Sequence, residues 1–465
     1  MKSSSSDTDT RWRWWVLMPI GVGTFMSALD GSVVNTVLPL LRDELHTSVA
    51  GIEWVMTVYL LVVSALLLGV GRAGDLYGHK RIYIAGFVLF VIGSALCGLA
   101  PSAGMLIGMR GVQAVGAAML YANSPAILTK SFPATQRGRV LGAQVTFTYL
   151  GLMTGPSLGG WLATAFGWRS IFYINVPLGV LAVALALSVI KDDRPETTVE
   201  KFDFAGATLF TAGLVTLLVA LNRGHALGWL SLPIIVLLAA AILLLTFFFI
   251  VERRRTNPML DLTLFRNRVL TASTVTALLN YICLYSVLFV IPFLLIQARG
   301  LNTQQAGLVM TAQPIVVALV TPFSGTLSDR IGSRSLAALG MLVLACGLVL
   351  LSALAGSASV KPIAASLGVV GLGIGLFVSP NNSALMGAAP RHRQGIAAGI
   401  LATSRNVGMV LGVGLAGAVF TTVLARVGTG GASEAVVRGV QASLYVAAAV
   451  AACGMLTAWM SGPRQ

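Results

Sequence analysis

Two charged side chains of opposite sign stand inside stretches that are otherwise apolar. Asp30 lies in Leu29-Asp30-Gly31-Ser32-Val33-Val34-Asn35-Thr36-Val37-Leu38-Pro39, and Arg110 in Leu106-Ile107-Gly108-Met109-Arg110-Gly111-Val112-Gln113. A carboxylate at the centre of a membrane helix costs roughly 2.5–3.5 kcal/mol on insertion scales, so such a group is expected to face a cavity or a partner. Arginine stays charged, and in an apolar run it needs a carboxylate, a carbonyl or water beside it. Asp30 is the only acid that falls well inside a span, which makes it the expected partner. The pair could act as a proton switch. Arg110 at close range favours the ionised carboxylate; with Arg110 swung away, desolvation favours the protonated form. A buried structural acid and an arginine capped by carbonyls are the plainer readings. Arg405 is a further intramembrane cation, open to a substrate, packing or coupling role, and Asn35, Tyr59 and Gln113 are the other polar candidates for substrate contact or coupling.

Other chemistries find little support. There is no Walker-type phosphate loop, no His-Glu-x-x-His and no Ser/His/Asp set at the membrane surface. The histidines His46, His79, His225 and His392 fall in loops, and Cys97, Cys283, Cys346 and Cys453 are isolated in apolar runs, where they read as small core residues. Glu53 precedes Trp54 at the outer end of a span and reads as a membrane–water interface residue. The chain is expected to be no enzyme and to need no cofactor or metal. Without an ATP site, uphill transport would have to be driven by an ion gradient.

The elements that would position these residues follow from composition. With 465 residues, 56% hydrophobic and 10% charged, the chain departs from soluble domains, where about a quarter of residues are charged. Its apolar runs are about 20 residues long and continuous, which predicts an all-α polytopic membrane protein rather than a barrel. The net charge of +15 is spread over alternate short loops and forms no continuous basic face, which argues against a nucleic-acid partner. Fourteen spans are expected, near 15–41, 51–71, 81–100, 105–130, 138–164, 168–190, 204–222, 231–251, 268–297, 304–327, 334–355, 362–387, 396–424 and 438–460. Lys and Arg concentrate in the loops on one side, so both termini are expected in the cytoplasm.

The sequence also repeats. Gly71-Arg72-Ala73-Gly74-Asp75-Leu76-Tyr77-Gly78-His79-Lys80-Arg81 recurs around Gly325, Asp329, Arg330 and Gly332 at an offset of 254, and glycines from Gly111 to Gly160 recur from Gly368 to Gly417 at an offset of 257. The implied organisation is a tail at 1–14, a six-helix bundle at 15–190, a linker with two inserted helices at 191–267, a second bundle at 268–460 and a tail at 461–465. The inserted hairpin has no counterpart in either copy and reads as peripheral. In the duplicated loop Gly71 and Gly74 allow close approach, Gly78 can take a positive φ, and Asp75 can pair with a neighbouring cation, a latch that would favour one conformation. Gly151, Gly155 and Gly159 form a smooth helix face, with Pro156 adding a kink and Gly160 completing the set.

These residues resemble the major facilitator superfamily. Gly71, Asp75, Gly78, Lys80 and Arg81, with Asp329 and Arg330 in the repeat, are similar to its signature loop, His79 standing where a basic residue is usual. Leu29-Asp30 through Pro39, followed by Trp54 to Leu60, looks like the first two spans of the fourteen-helix drug:proton antiporter family. Leu106 to Ala118 is similar to the family's span-4 motif, whose Arg, here Arg110, is implicated in proton transfer; Ala114 departs from the usual Gly. Gly155-Pro156 resembles the antiporter motif of exporters. The resemblance implies a monomer in the cell (plasma or inner) membrane that exports hydrophobic or cationic compounds in exchange for protons by alternating access. A dedicated exporter of one natural product, amino acid or lipid is the nearer alternative, and a non-transporting receptor or structural subunit the more distant one.

Overall fold

The computed structural model describes residues 4–133, 136–192, 204–228, 230–254, 262–356, 359–390, 394–427 and 432–460, and over these the chain is helical. The first unit comprises α1 (Ser4–Glu44), α2 (Val49–Tyr77), α3 (His79–Gly98), α4 (Ala103–Ser131), α5 (Arg137–Phe166) and a span broken into α6 (Ser170–Tyr173) and α7 (Asn175–Val189). A hairpin follows, α8 (Phe204–Leu227) and α9 (Leu232–Arg254). The second unit comprises α10 (Arg268–Phe293), α11 (Thr303–Met310), α12 (Ala312–Ile331), α13 (Ser333–Leu354), α14 (Val360–Ala388), α15 (Gln394–Val427) and α16 (Ala432–Met460). Helix starts are fixed by local chemistry: Ser48 and Ser102 cap α2 and α4, and Asn302 with Gln305 forms a reciprocal capping box on α11.

Among the described residues, twelve helices or helix pairs are long and apolar enough to cross a membrane. Two of the fourteen expected spans are outside this set. Helix α5 is rich in glycine and threonine, which lowers its apolarity, and in α8 the described side chains cover the apolar stretch Ala205–Leu221. One expected boundary differs: helix α1 begins at Ser4, so the stretch read as a polar tail is continuous with the first span. The expected tail at 461–465 lies outside the described residues.

The two units share one packing scheme. In each, the first helix packs on the fifth (α1 on α5, α10 on α15) and the third on the fourth (α3 on α4, α13 on α14). The glycines responsible are duplicated. A Cβ on Gly86 or Gly116 would strike the backbone of the opposite helix, and so would one on Gly340 or Gly373, at offsets of 254 and 257. Likewise Gly151 abuts Phe25 and Ala28 of α1 while Gly408 abuts Leu278 and Tyr281 of α10, an offset of 253. Small residues at these crossings let backbones approach where lipid supplies no hydrophobic drive between helices.

The units meet at the end of the bundle away from the 71–81 loop. Pro156 and Gly160 of α5 press on Gly307, Thr303 and Gln304 of α11, and Ser157 Oγ lies 2.6 Å from Thr311 Oγ1. Glu53 is buried there against Gly417 of α15, within the contact between units. The hairpin straddles the two units. Helix α8 touches both α2 and α15, with Thr211 Oγ1 donating to the Ala65 carbonyl at 3.0 Å, while α9 presents an apolar face outward.

Candidate functional site

Asp30 and Arg110 meet inside the first unit. Arg110 Nη1 donates to Asp30 Oδ2 at 2.5 Å and to Gln113 Oε1 at 2.7 Å, and its Nε donates to the Val55 carbonyl at 3.2 Å. The other carboxylate oxygen accepts from Gln113 Nε2 and from Asn175 Nδ2, both at 2.9 Å. Ser94 Oγ closes the network, accepting from Gln113 and Asn175 and donating to the Phe172 carbonyl. Both charged side chains are at most 1% exposed. Pairing and hydrogen bonding offset the cost of burying two ions, and removing one partner alone would leave a stranded charge. The ring of Tyr59 covers the pair, its centroid 4.2 Å from Arg110 Cζ, which adds a cation–π contact.

Each element contributes for a local reason. Helix α4 carries Arg110 and Gln113 one turn apart, so both reach the same side. Gly93 on α3 lets the α4 backbone approach at Gln113, since a Cβ there would sit about 2.6 Å from the Gln113 main chain. The break between α6 and α7 at Ile174 brings Asn175 in at the start of α7. Asn175 and Ser94 are the residues that sequence reasoning missed. A neutral amide or hydroxyl in an apolar run carries a weaker signal than a charge.

The network has no counterpart in the second unit. Applying the packing offsets, Asp30 maps to Cys283, Ser94 to Leu348, Arg110 to Leu367 and Gln113 to Val370, all buried. Gly347 abuts Val370 just as Gly93 abuts Gln113. The duplicated scaffold therefore carries its buried ion pair on one side only.

The other sequence candidates separate into three groups. Asn35 is 1% exposed and neither polar atom of its amide finds a partner among the described residues. Arg405 lies in the second unit, away from Asp30, with Nη2 donating to Asn382 Oδ1 at 2.6 Å.

In the loop, Gly78 takes φ +94° and Gly332 φ +88°, conformations that favour glycine. Gly74, rather than Gly71, is the position of close approach: a Cβ there would strike Asn123 and His79, whereas at Gly71 it would meet only Ala122 at 3.8 Å. Asp75 sits 3.3 Å from His79 Nε2 and 3.8 Å from Arg72, and Lys80 lies 3.0 Å from Asp192. His79 is buried rather than exposed in a loop, its Nδ1 2.8 Å from Asn123 Oδ1. Arg81 and Arg330 are exposed, and the side chain of Asp329 lies outside the described residues.

The glycine face of α5 divides between two partners. Gly151, Gly155 and Gly159 lie along α1, and Pro156 and Gly160 face α11 of the other unit. Of the cysteines, Cys97 and Cys283 are core residues; Cys346 and Cys453 are exposed.

A duplicated six-helix packing unit with a buried acid–arginine pair in one copy narrows the family. The sequence profile of the Major Facilitator Superfamily matches residues 20–272 and again 273–465. This chain belongs to that superfamily. The chain is 34% identical over 401 residues to the riboflavin transporter RibZ of Clostridioides difficile (strain 630), covering 86% of each. It is also 34% identical over 411 residues to the multidrug resistance protein Stp of Mycobacterium tuberculosis (strain CDC 1551 / Oshkosh), covering 88% of this chain and 76% of that one. Among solved structures, a bacterial homologue of the human lysosomal transporter Spinster, inward-facing and unoccupied, superposes with TM-score 0.71 at 15% identity over 97% of both chains, a likeness of fold. The family and these relatives point to a multi-pass membrane transporter rather than an enzyme.

Proposed function

We propose that this chain is a proton-coupled antiporter that exports hydrophobic compounds by alternating access, with Asp30 as the proton-carrying group and Arg110 as its counter-charge. The observation that carries the reading is the Asp30–Arg110–Gln113–Asn175 network, present in one copy of a duplicated scaffold whose other copy has Cys283, Leu367 and Val370 at the positions equivalent to Asp30, Arg110 and Gln113. A stabilising pair alone would have no reason to be restricted to one copy. Arg110, Gln113 and Asn175 together occupy both oxygens of the carboxylate. A proton arriving at Asp30 would free Arg110 and change the packing of α4 against α1 and α2, and a ligand can shift such an equilibrium only through differential affinity for its two states.

The contact of α5 with α11 supports an arrangement closed at the end away from the termini. With both termini in the cytoplasm of a plasma or inner membrane, that is the inward-facing state. Helices α5 and α8 then supply the thirteenth and fourteenth spans, and the chain works as a monomer that needs no cofactor beyond the proton gradient. In this reading Asp75 with His79 holds the cytoplasmic ends of α2 and α3 together as the latch, and Lys80 with Asp192 ties α3 to the segment after α7. The expectation of cationic cargo is not carried into this reading, because the negative charge of Asp30 is already matched by Arg110. A narrower reading is a dedicated exporter of one natural product; the riboflavin transporter among the relatives supports dedication to one compound, not the direction of transport.

The test is dye-linked proton movement in inside-out vesicles across a panel of neutral, anionic and cationic aromatic compounds. Export with proton exchange is expected to dissipate a preformed pH gradient when a substrate is added, in wild type but not in Asp30→Asn. Dissipation by a single compound favours the dedicated exporter. No response to any compound would overturn the antiport reading.

A further inference from the structure

Arg405 makes no ion pair among the described residues. It sits near the middle of α15, half-buried, with Nη2 bound to the neutral amide of Asn382 on α14 and its Cζ 5.5 Å from the Tyr281 ring centroid on α10. Its Nε is buried and has no hydrogen-bond partner among the described residues. None of α4, α5, α10, α14 and α15 contains an Asp or Glu. Asp30 is committed to Arg110, Glu53 lies against Gly417, about three turns along α15 from Arg405, and Glu252 is on α9.

The surroundings are aromatic and come from both units. Tyr149 of α5 lies within electrostatic range of Tyr281 and Arg405, and Tyr121 of α4 within range of Tyr281. Tyr121, Tyr149 and Tyr281 are all half-buried near the middle of their helices, as residues lining a cleft between the units would be. The repeat equivalent of Arg405 is Thr148, so the charge belongs to the second unit alone.

We infer that Arg405, Asn382, Tyr149 and Tyr281 form a substrate subsite for planar aromatic compounds bearing a carboxylate or a comparably strong acceptor. The guanidinium offers a planar fork of donors that matches a carboxylate in two-point contact, and the tyrosine rings stack on an aromatic body. A cation at this site would meet an unpaired arginine in a low-dielectric cleft. The inference rests on the export reading for its location between the units, but its recognition chemistry can be tested without transport.

The experiment is calorimetric titration of the purified full-length protein in detergent with three probes sharing one ring system: 2-naphthoate, 2-naphthamide and (2-naphthylmethyl)ammonium. Wild type is expected to bind 2-naphthoate roughly tenfold more tightly than the ammonium probe, the scale of one charge-assisted hydrogen bond. Arg405→Gln should lose that preference, and Arg405→Lys should keep part of it, since a point charge replaces the fork. Equal affinity for the anion and the cation in wild type would overturn the subsite, as would an undiminished preference in a folded Arg405→Gln protein. Proton movement in vesicles separates the two readings. Arg405-dependent naphthoate binding without proton movement would support the subsite and count against antiport. Proton movement by cations alone, with no naphthoate binding, would overturn the subsite and leave antiport standing.

Discussion

At the scale of single residues, Asp30 directs both oxygens at protein donors, and every donor comes from the first unit. Removing Arg110 alone strands a buried carboxylate, which typically costs about 3–5 kcal/mol, whereas replacing both ions by apolar groups is often neutral. Arg110→Met is therefore expected to unfold at markedly lower temperature in detergent, and the double variant Asp30→Leu with Arg110→Met to recover most of that loss while proton-coupled transport stays abolished. If the double variant were as unstable as the single one, the ion pair would not be what Arg110→Met disturbs. A milder change, Asn175→Leu, removes one hydrogen bond to the carboxylate at a cost of about 1.5–3 kcal/mol and should shift the pH dependence of transport rather than abolish it. The charges of this network were legible in the sequence because an ion in an apolar run is conspicuous. Asn175 and Ser94 were not, since they reach the site only through the break before α7 and the crossing of α3 with α4. His79 and Glu53 likewise read as surface residues from their places near span ends, and tertiary packing buried both.

At the scale of elements, what the repeat duplicates is chiefly the helix crossings. Gly116→Leu is expected to destabilise the protein by more than the 1–3 kcal/mol usual for overpacking, because the added side chain meets the α3 backbone at Gly86 and Phe90. Gly111→Ala, whose Cβ meets only Val58 at 3.9 Å, should be close to neutral by thermal unfolding. A Gly111→Ala protein as unstable as Gly116→Leu would mean that helix propensity rather than crossing geometry decides. The helices and their duplication could be read from apolar runs and glycine spacing. The break at Thr311 between α11 and α12 and the bridging position of α8 could not, since each stands at contacts between elements distant in sequence.

At the scale of the whole molecule, the two units are joined at one end through small residues, with Pro156 and Gly160 on one side and Thr303 to Thr311 on the other. Ser157→Cys combined with Thr311→Cys, in a background with Cys346→Ser and Cys453→Ser, should form a disulfide under mild oxidation, since the two hydroxyls stand 2.6 Å apart. The cross-link should stop transport and reduction should restore it. Transport unaffected by a complete cross-link would mean that this end does not open during the cycle. The superfamily, its helical duplication and the acid–arginine pair were within reach of the sequence. Which end is closed and where the uncompensated charge of Arg405 lies required the packed molecule.

The central claim is that Asp30 couples proton movement to a conformational cycle that the rest of the scaffold can perform without it. Proteoliposomes containing Asp30→Asn would be assayed in two modes with one identified substrate: accumulation driven by a pH gradient, and exchange of labelled for unlabelled substrate with no gradient. The expected result is loss of gradient-driven accumulation with exchange retained. Accumulation equal to wild type would contradict the account, because a proton would then be carried elsewhere in the molecule.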